Sequence, residues 1–168
     1  TSLDIPILSR LHKAWLVNDK KKVLYWNDYL FGSRDSGELQ AEEQQLAHSL
    51  ARLLGDLGIP EAIVWKKISR VCFITLFSLG VAHWKIPIND ASWGYLWMWA
   101  ENQVLAAIKL VPIGQTSGQK ILSSAIEIIP ELVSTGLSLK DEDIGYTAPG
   151  QGIASALHET QYTRIFRS

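Results

Sequence analysis

Residues 90–111, DASWGYLWMWAENQVLAAIKLV, are the most informative stretch of the sequence for the fold. Asn89 has the chemistry of a helix N-cap, and Pro112 and Gly114 end the segment, so the stretch predicts one long helix. Its apolar side chains do not share one stripe but point in several directions, as shown by Trp97, Trp99, Val104, Leu105 and Ile108. Such a helix needs neighbours on several sides. We therefore predict that it is the central, apolar member of a helical bundle.

The segments on either side of this helix also show helical periodicity. Six further helices are predicted, at Leu3–Val17, Lys20–Phe31, Ser36 to Leu57, Glu61–His83, Thr116–Leu137 and Ile153 to about Arg164. Pro130 removes a backbone donor and should kink or divide the helix in which it lies. The stretch Leu139–Gly152 contains several Gly and Pro residues and is predicted to be a loop. The sequence therefore predicts an all-α, single-domain bundle of about seven to eight helices.

Two of these helices lead to specific expectations about burial. The second half of Glu61–His83 is apolar nearly all round, so we expect it to be deeply buried. Ser36 is expected to cap the preceding helix in the chain. The leucines of that helix are expected to share its core-facing side, namely Leu39, Leu46, Leu50, Leu53, Leu54 and Leu57. Its acidic and amide residues are expected to form a solvated face rather than a cation site, namely Glu38, Glu42, Glu43 and Gln45.

Composition and charge argue against several classes of partner. Sixteen basic and seventeen acidic residues give a formal charge of −1, so no global field favours phosphate backbones, and nucleic acid is not a predicted partner. The apolar stretch 71–82 is too short to cross a bilayer, and 91–111 contains four strongly polar side chains, so no membrane span is predicted. Cys72 lies in an apolar string and is predicted to pack as a small hydrophobe, which fits a reducing, cytoplasmic location.

The sequence does not group residues for catalysis or metal binding. His12, His48, His83 and His158 lie on four different predicted helices, and HExxH, HxxEH and CxxC spacings do not occur. Residues 114–118, GQTSG, follow a helix instead of a strand and lack the Lys-Ser/Thr pair of a phosphate-binding loop. We therefore predict no catalytic, cofactor-binding or metal-binding residues.

Polar groups interrupt the apolar helix in residues 101–115, ENQVLAAIKLVPIGQ. Burying an unpaired ammonium such as that of Lys109 would cost several kcal/mol. These groups therefore either satisfy one another inside the bundle or line a surface that another protein uses.

The C-terminal residues 158–168, HETQYTRIFRS, combine Tyr, Ile, Phe and two Arg at a chain end. Tyr and Arg are favoured anchors of protein interfaces. From the residues alone, docking onto another protein and docking onto the chain's own bundle are both open.

The same two segments, together with Asp4-Ile5-Pro6 and Gly152–Ser155, resemble the UreF family of urease accessory proteins. The resemblance runs the length of the chain. It implies an all-α homodimer that binds UreD (UreH in some bacteria) and the GTPase UreG in a complex that loads nickel into apo-urease. It implies no cofactor of the chain itself, since the wider complex handles nickel.

The resemblance also implies roles for individual residues. The C-terminal segment would become ordered against UreD/UreH, and Lys109 would belong to the face that receives UreG and checks its activation state. The partner-binding residues predicted on this basis are Glu101, Lys109, Gln115, His158, Glu159, Tyr162, Arg164, Phe166 and Arg167.

One departure from the family pattern is at the start of the chain. UreF proteins carry an earlier stretch with Pro-Val-Gly-Gly-Phe-like and Gln-Gly-Leu-Glu-like motifs, and this sequence has neither. We therefore expect an N-terminally truncated UreF-like domain over residues 1–168 that uses exposed apolar surface for oligomerisation or partner binding.

Two other function classes remain as alternatives. A helical enzyme would need an acid/base pair assembled in space, such as Glu101 with His83, inside an enclosed apolar pocket. A nickel carrier would need soft-metal ligands, for which scattered His residues and Cys72 are a poor supply.

Overall fold

The computed structural model of the protein describes residues 2–111, 113–145, 149–159 and 161. These residues form eight α-helices and one short 3-10 helix, with no strand among them. The α-helices are α1 (Asp4–Leu16), α2 (Lys20–Gly32), α3 (Gly37–Asp56), α4 (Pro60–Trp65), α5 (Phe73–His83), α6 (Ile88–Leu110), α7 (Gln115–Ser138) and α8 (Pro149–Glu159), and the 3-10 helix is Asp141–Asp143. The prediction of an all-α, single-domain bundle of seven to eight helices is confirmed.

Helices α1 and α5 form the centre of the bundle. Helix α1 packs against α2, α5, α6 and α7, and α5 packs against α1 and α3. The side chains that these two helices bury completely are Ile5, Ile7, Leu8, Leu11, Ile74, Thr75, Leu76 and Ser78. The indole N–H of Trp15 donates to the carbonyl oxygen of Thr75 and to Ser78 Oγ, both at 3.1 Å, and so ties the two helices together.

The prediction that the long helix at 90–111 is the central member is wrong. Only the first half of α6 contributes to the core, through Ala91, Ser92, Tyr95 and Leu96. Beyond Met98, Val104 is the one buried residue of this helix. Asn89 is not its cap either, because α6 begins at Ile88 and has no side-chain cap.

The predicted helix Glu61–His83 is two helices, α4 and α5, joined by an irregular link at residues 66–72. Deep burial holds for the second of them, α5, as expected from its composition. The link exists because side chains of other helices bind its backbone. Asn27 is fully buried; its Nδ2 donates to the carbonyl of Arg70 at 2.7 Å, and its Oδ1 accepts from the Cys72 N–H at 3.1 Å. These bonds replace the ones a continuous helix would make.

Helix α3 has its predicted cap but not its predicted core face. Ser36 Oγ accepts a hydrogen bond from the Leu39 N–H at 3.2 Å, which confirms the N-cap. Small residues let this helix approach the core closely, and the buried positions are Ala47, Ala51 and Leu54. The leucines expected in the core are instead partly exposed at three positions, Leu46, Leu53 and Leu57. Glu43, expected in water, is largely buried.

Two predictions about the C-terminal third are corrected in part. Pro130 does not divide its helix, since α7 runs without interruption from Gln115 to Ser138, while the kink at this residue stays a prediction. The stretch 139–152 is only partly a loop, since it contains the 3-10 helix, and α8 begins at Pro149. Arg10 fixes the start of this stretch by donating to the Leu139 carbonyl and to Asp141 Oδ1.

Helix α7 is also the one helix of the described ranges that is long and apolar enough to match a membrane span by length and composition. The two stretches tested from the sequence, 71–82 and 91–111, do not meet that criterion. A single such helix is weak evidence for a span, since core helices pass the same test.

Candidate protein-interaction surfaces

The second half of α6 and the first half of α7 form a helical hairpin, here the α6–α7 hairpin (residues 99–128). The two helices pack closely at Gly118. A Cβ at this position would lie 2.5 Å from Cδ1 of Ile108 and 3.2 Å from Cγ1 of Val104. A side chain at this position would force Ile108 to change its conformation and would press on Val104, so glycine allows the present close packing of the two helices.

The hairpin exposes an unusual number of large apolar side chains. They are Trp99, Leu105, Leu110, Val111, Ile121, Ile126 and Ile128, each with between 44% and 56% of its surface exposed. Single exposed apolar residues are ordinary on proteins, whereas a group of them on one hairpin makes this region a candidate surface for another polypeptide.

The three predicted partner-binding residues of this region lie at the hairpin surface. Glu101, Lys109 and Gln115 are all exposed. The sequence left open whether these polar groups satisfy one another inside the bundle or lie on a surface. The structure places them on the surface. The structure brings them to the same hairpin, with Glu101 and Lys109 on α6 and Gln115 at the start of α7. Their contact with a partner stays a prediction.

Helix α8 docks on the beginning of α3 through polar contacts. Ser155 Oγ and Ser36 Oγ are 2.6 Å apart, and Glu159 Oε1 accepts from the Glu38 N–H at 3.1 Å. His158 Nδ1 lies 2.7 Å from Glu38 Oε2. A carboxylate at the first turn of a helix is favourable because the N-terminal N–H groups point toward it. Two predicted site residues, His158 and Glu159, thus contact the chain's own bundle.

The other side of α8 is apolar and faces solvent. Ile153 and Leu157 lie one turn apart, and 62% and 63% of their surfaces are exposed. The remaining predicted anchors lie outside the described residues, namely Tyr162, Arg164, Phe166 and Arg167. Their docking, on a partner or on the bundle, stays a prediction.

A charged cluster that the sequence did not reveal lies inside the bundle. Arg34 Nη2 donates to Asp4 Oδ1 at 3.1 Å and to Glu43 Oε1. The hydroxyl of Tyr95 donates to Asp4 Oδ2 at 2.9 Å, and Glu43 Oε2 accepts from the Phe73 N–H at 2.8 Å. The cluster therefore joins α1, α3, α6 and the start of α5 through one guanidinium. Its members are far apart in sequence, so spacing alone gives no signal for it.

Burial sets the protonation behaviour of this cluster. It raises the pKa of Glu43, although Arg34 and the Phe73 N–H oppose the shift. Burial disfavours the Arg34 charge, but Asp4 and Glu43 outweigh it and raise the pKa of Arg34. Burial, with the charge of Asp4, also raises the pKa of the Tyr95 hydroxyl. The cluster is therefore a set of buried ion pairs and hydrogen bonds that connects α1, α3, α5 and α6, and it exposes no reactive group.

The residues of the enzyme alternative do not form a pocket. His83 and Glu101 are both exposed, so they do not share an enclosed cavity. The groove between the start of α6 and the end of α7 is open and is lined by neither of them; its walls include Trp93, Pro130 and Leu137. Within the described part of the chain, His, Cys, Asp and Glu residues form no group of three that could hold a metal ion. Cys72 is buried, and burial raises the pKa of its thiol.

Comparison with known proteins identifies the family. The sequence model of the UreF family matches residues 1–126. The urease accessory protein UreF of Alkalilimnicola ehrlichii is 49% identical over 166 residues, which are 99% of this chain and 73% of that protein. The chain belongs to the UreF family. The resemblance seen in the sequence motifs is thereby confirmed.

Other UreF relatives agree over the same extent. The urease accessory protein UreF of Hahella chejuensis is 40% identical over 98% of this chain and 74% of its own length. The urease accessory protein UreF 2 of Brucella anthropi is 41% identical over 99% of this chain and 73% of its own length. The UreF family match contains α1 to α6 and the first part of α7. It therefore covers all but the last two residues of the α6–α7 hairpin. Helix α8 lies beyond that match but within the alignment with the relatives.

Proposed function

We propose that this UreF-family chain is a non-enzymatic scaffold in urease maturation, which binds UreD/UreH and recruits and modulates the GTPase UreG during nickel delivery to apo-urease. The observation that carries the proposal is the combination of family membership with exposed interaction surfaces and no assembled reaction site among the described residues. The relatives carry the name urease accessory protein, which fits a role in assembly rather than in the urease reaction.

The two exposed surfaces suit two partners. The α6–α7 hairpin presents charged and amide groups, Glu101, Lys109 and Gln115, beside exposed apolar side chains such as Trp99. Such a mixture of apolar and polar groups is typical of interfaces that form and dissociate, which suits a GTPase that must be received and released. We assign this surface to UreG.

The C-terminal region suits UreD/UreH. Helix α8 contacts its own bundle through polar groups of Ser155, His158 and Glu159, while its residue Ile153 is exposed. Surface hydrogen bonds and ion pairs of this kind each contribute little to stability, so a partner can displace them at low cost. The following segment, with its Tyr and Arg anchors, would bind UreD/UreH.

Exposed apolar side chains outside the hairpin, such as Leu53, Leu57 and Val64, fit a homodimer in the cytoplasm. Symmetric self-association is a common way in which proteins cover such side chains. The scaffold would itself hold no tightly bound nickel, and it would bind neither nucleic acid nor a membrane. Equilibrium dialysis with nickel tests the carrier alternative, and stoichiometric tight binding would favour it.

A pull-down tests the proposal. Immobilised UreD/UreH and UreG are incubated with the whole chain and with a variant that lacks residues 160–168, which keeps α8. The expected result is retention of the whole chain and loss of UreD/UreH binding in the variant, with an unchanged helical circular dichroism spectrum. Equal retention of both forms by UreD/UreH would contradict the role of the C-terminal segment, and retention of neither form by either partner would contradict the scaffold function.

A further inference from the structure

The link between α4 and α5, residues 66–72, is anchored at both ends. Before it, Trp65 is buried and packs edge-on against Trp15, with ring centroids 5.9 Å apart. At its end, Val71 and Cys72 are completely buried. The backbone between these anchors can therefore adopt few conformations.

Side chains of α2 and α3 also hold the middle of the link. The carbonyl groups of residues 68–70 are bound in sequence by His48 Nε2 at 3.0 Å, by the Gln44 amide, and by Asn27 Nδ2 at 2.7 Å. Because a carbonyl only accepts, His48 donates through Nε2. The backbone carbonyl groups of loops usually accept hydrogen bonds from water. Here three consecutive carbonyl groups accept hydrogen bonds from side chains of the protein instead. The link is consequently preorganised.

This preorganised link displays three cations. Lys66, Lys67 and Arg70 are exposed, and none of them belongs to an ion pair within the ranges that the structure covers. The guanidinium of Arg70 lies over the Phe31 ring, 5.2 Å from its centroid. That stacking fixes the position of the group but leaves its N–H edge available to a carboxylate.

We propose that the α4–α5 link is a docking site for an acidic segment of another protein of the urease assembly, a proposal that rests on the scaffold function above. The formal charge of the chain is −1, so this local group of cations is not part of a general basic surface. A fixed backbone lowers the entropy lost on binding, which favours a specific contact over diffuse attraction.

The neighbouring surface favours a protein over a nucleic acid. Beside the link, α3 presents an open polar face that includes Gln44, Gln45, His48 and Arg52. Amide side chains both donate to and accept from an extended peptide backbone. Single-stranded nucleic acid binding instead uses exposed aromatic platforms within a basic groove, and the aromatic ring at this link, Phe31, is buried beneath Arg70.

The test is a matched comparison of charge variants. One variant carries K66Q, K67Q and R70Q, and the control carries K20Q, K21Q and K22Q, which removes the same charge from exposed lysines at the start of α2. Purified UreD/UreH, UreG and apo-urease are each tested for binding to the whole chain by biolayer interferometry, at low and at high salt. For one of the three, the link variant is expected to lose affinity by about tenfold at low salt and to show a weaker salt dependence, while the control stays near wild type.

Each other outcome overturns the proposal. Equal losses in the link variant and the control would mean that only net charge matters. Unchanged affinity of the link variant for all three proteins would remove the link from the interface while leaving the scaffold function intact. Binding of wild type to none of the three would overturn the scaffold function as well. Binding of a labelled oligothymidylate to the wild-type chain but not to the link variant, with the affinity for all three proteins unchanged, would make the link a nucleic-acid site.

Discussion

The guanidinium of Arg34, in the link between α2 and α3, holds the carboxylate of Glu43 inside the bundle. Arg34→Met keeps the aliphatic stem but leaves Glu43 and the nearby Asp4 without their shared cation. Breaking a largely buried ion pair from one side is costly because the remaining charges stay desolvated, so the free energy of unfolding should fall by about 3–5 kcal/mol. Urea denaturation at neutral pH measures it.

The matched control is Arg52→Met, on the exposed side of α3, which should change stability by less than about 0.5 kcal/mol. The double variant Arg34→Met with Glu43→Gln should be less destabilised than the sum of the single changes. Additive losses would show that Arg34 and Glu43 do not interact.

Two glycines of the α6–α7 region predict opposite effects of the same substitution. At Gly118 a methyl group would overlap Ile108 and press on Val104, so Gly118→Ala should destabilise the protein by about 1–3 kcal/mol. At Gly94, on α6, nothing lies within 4 Å of the new methyl group, so Gly94→Ala should stabilise by up to about 1 kcal/mol through helix propensity. Thermal unfolding of the two variants gives the signs, and a stabilising Gly118→Ala would be inconsistent with the close packing of the hairpin.

Lys109→Ala is expected to separate folding from partner binding. The side chain is exposed, so its removal should change the free energy of unfolding by no more than about 0.5 kcal/mol. Binding to UreG and activation of urease should fall. Lys120→Ala, on the exposed surface of α7, serves as the control. Unchanged UreG binding and urease activation in Lys109→Ala would remove this residue from the proposed interface.

The features that the sequence predicted well depend on local interactions. The cap Ser36 bonds to the backbone N–H of Leu39, three residues on, at 3.2 Å, so a short window of sequence contains the whole interaction. The predicted bounds of α1 and α2 lie within one residue of the observed ones, because the apolar periodicity of each helix is also a local feature. Hydrophobic content also predicted the burial of α5, because this helix has no polar face that could be exposed to solvent.

The errors concern features that other helices determine. The link at 66–72 is stabilised by Asn27 and His48 from different helices, which periodicity within the link cannot show. On α3, Ala47 and Ala51 face the core because small residues allow close helix packing, and this outweighs the larger apolar area of leucines such as Leu53. For the interaction surfaces, the sequence indicated Lys109 but not the exposed apolar neighbours that accompany it on the hairpin.

His12 predicts a loss of stability in mild acid. Burial, assisted by the charge of Lys13, lowers the pKa of His12 below 6.5, so the folded protein favours the neutral ring. Above pH 6.5 the ring is neutral in both states and no penalty exists. As the pH falls through 6.5, the unfolded chain binds a proton that the folded chain excludes, and stability declines until the lowered pKa is reached. His12→Gln should flatten this decline in unfolding free energies measured between about pH 5 and 8. The exposed His83→Gln serves as the control, and an equally steep decline in His12→Gln would assign the pH dependence to other groups.

Asn27 should be the most sensitive position of the α4–α5 link. Its Oδ1 accepts from the Cys72 N–H and from Thr75 Oγ1, while its Nδ2 donates to the Arg70 carbonyl. Asn27→Asp preserves the shape and the acceptor but places a buried carboxylate oxygen against that carbonyl and beside the Asp28 carboxylate. Loss of a buried donor combined with a new buried charge should lower the free energy of unfolding by about 3 kcal/mol or more.

Asn102→Asp, on the exposed face of α6, makes the same chemical change without burial and should be nearly neutral. Hydrogen exchange of the Cys72 and Phe73 amides adds a local readout, because the first is bound to Asn27 and the second to Glu43. In Asn27→Asp, protection should fall at both amides, since a displaced link also moves the start of α5 away from Glu43. Loss of protection at Cys72 alone would show instead that Asn27 acts on a single bond and does not position the link.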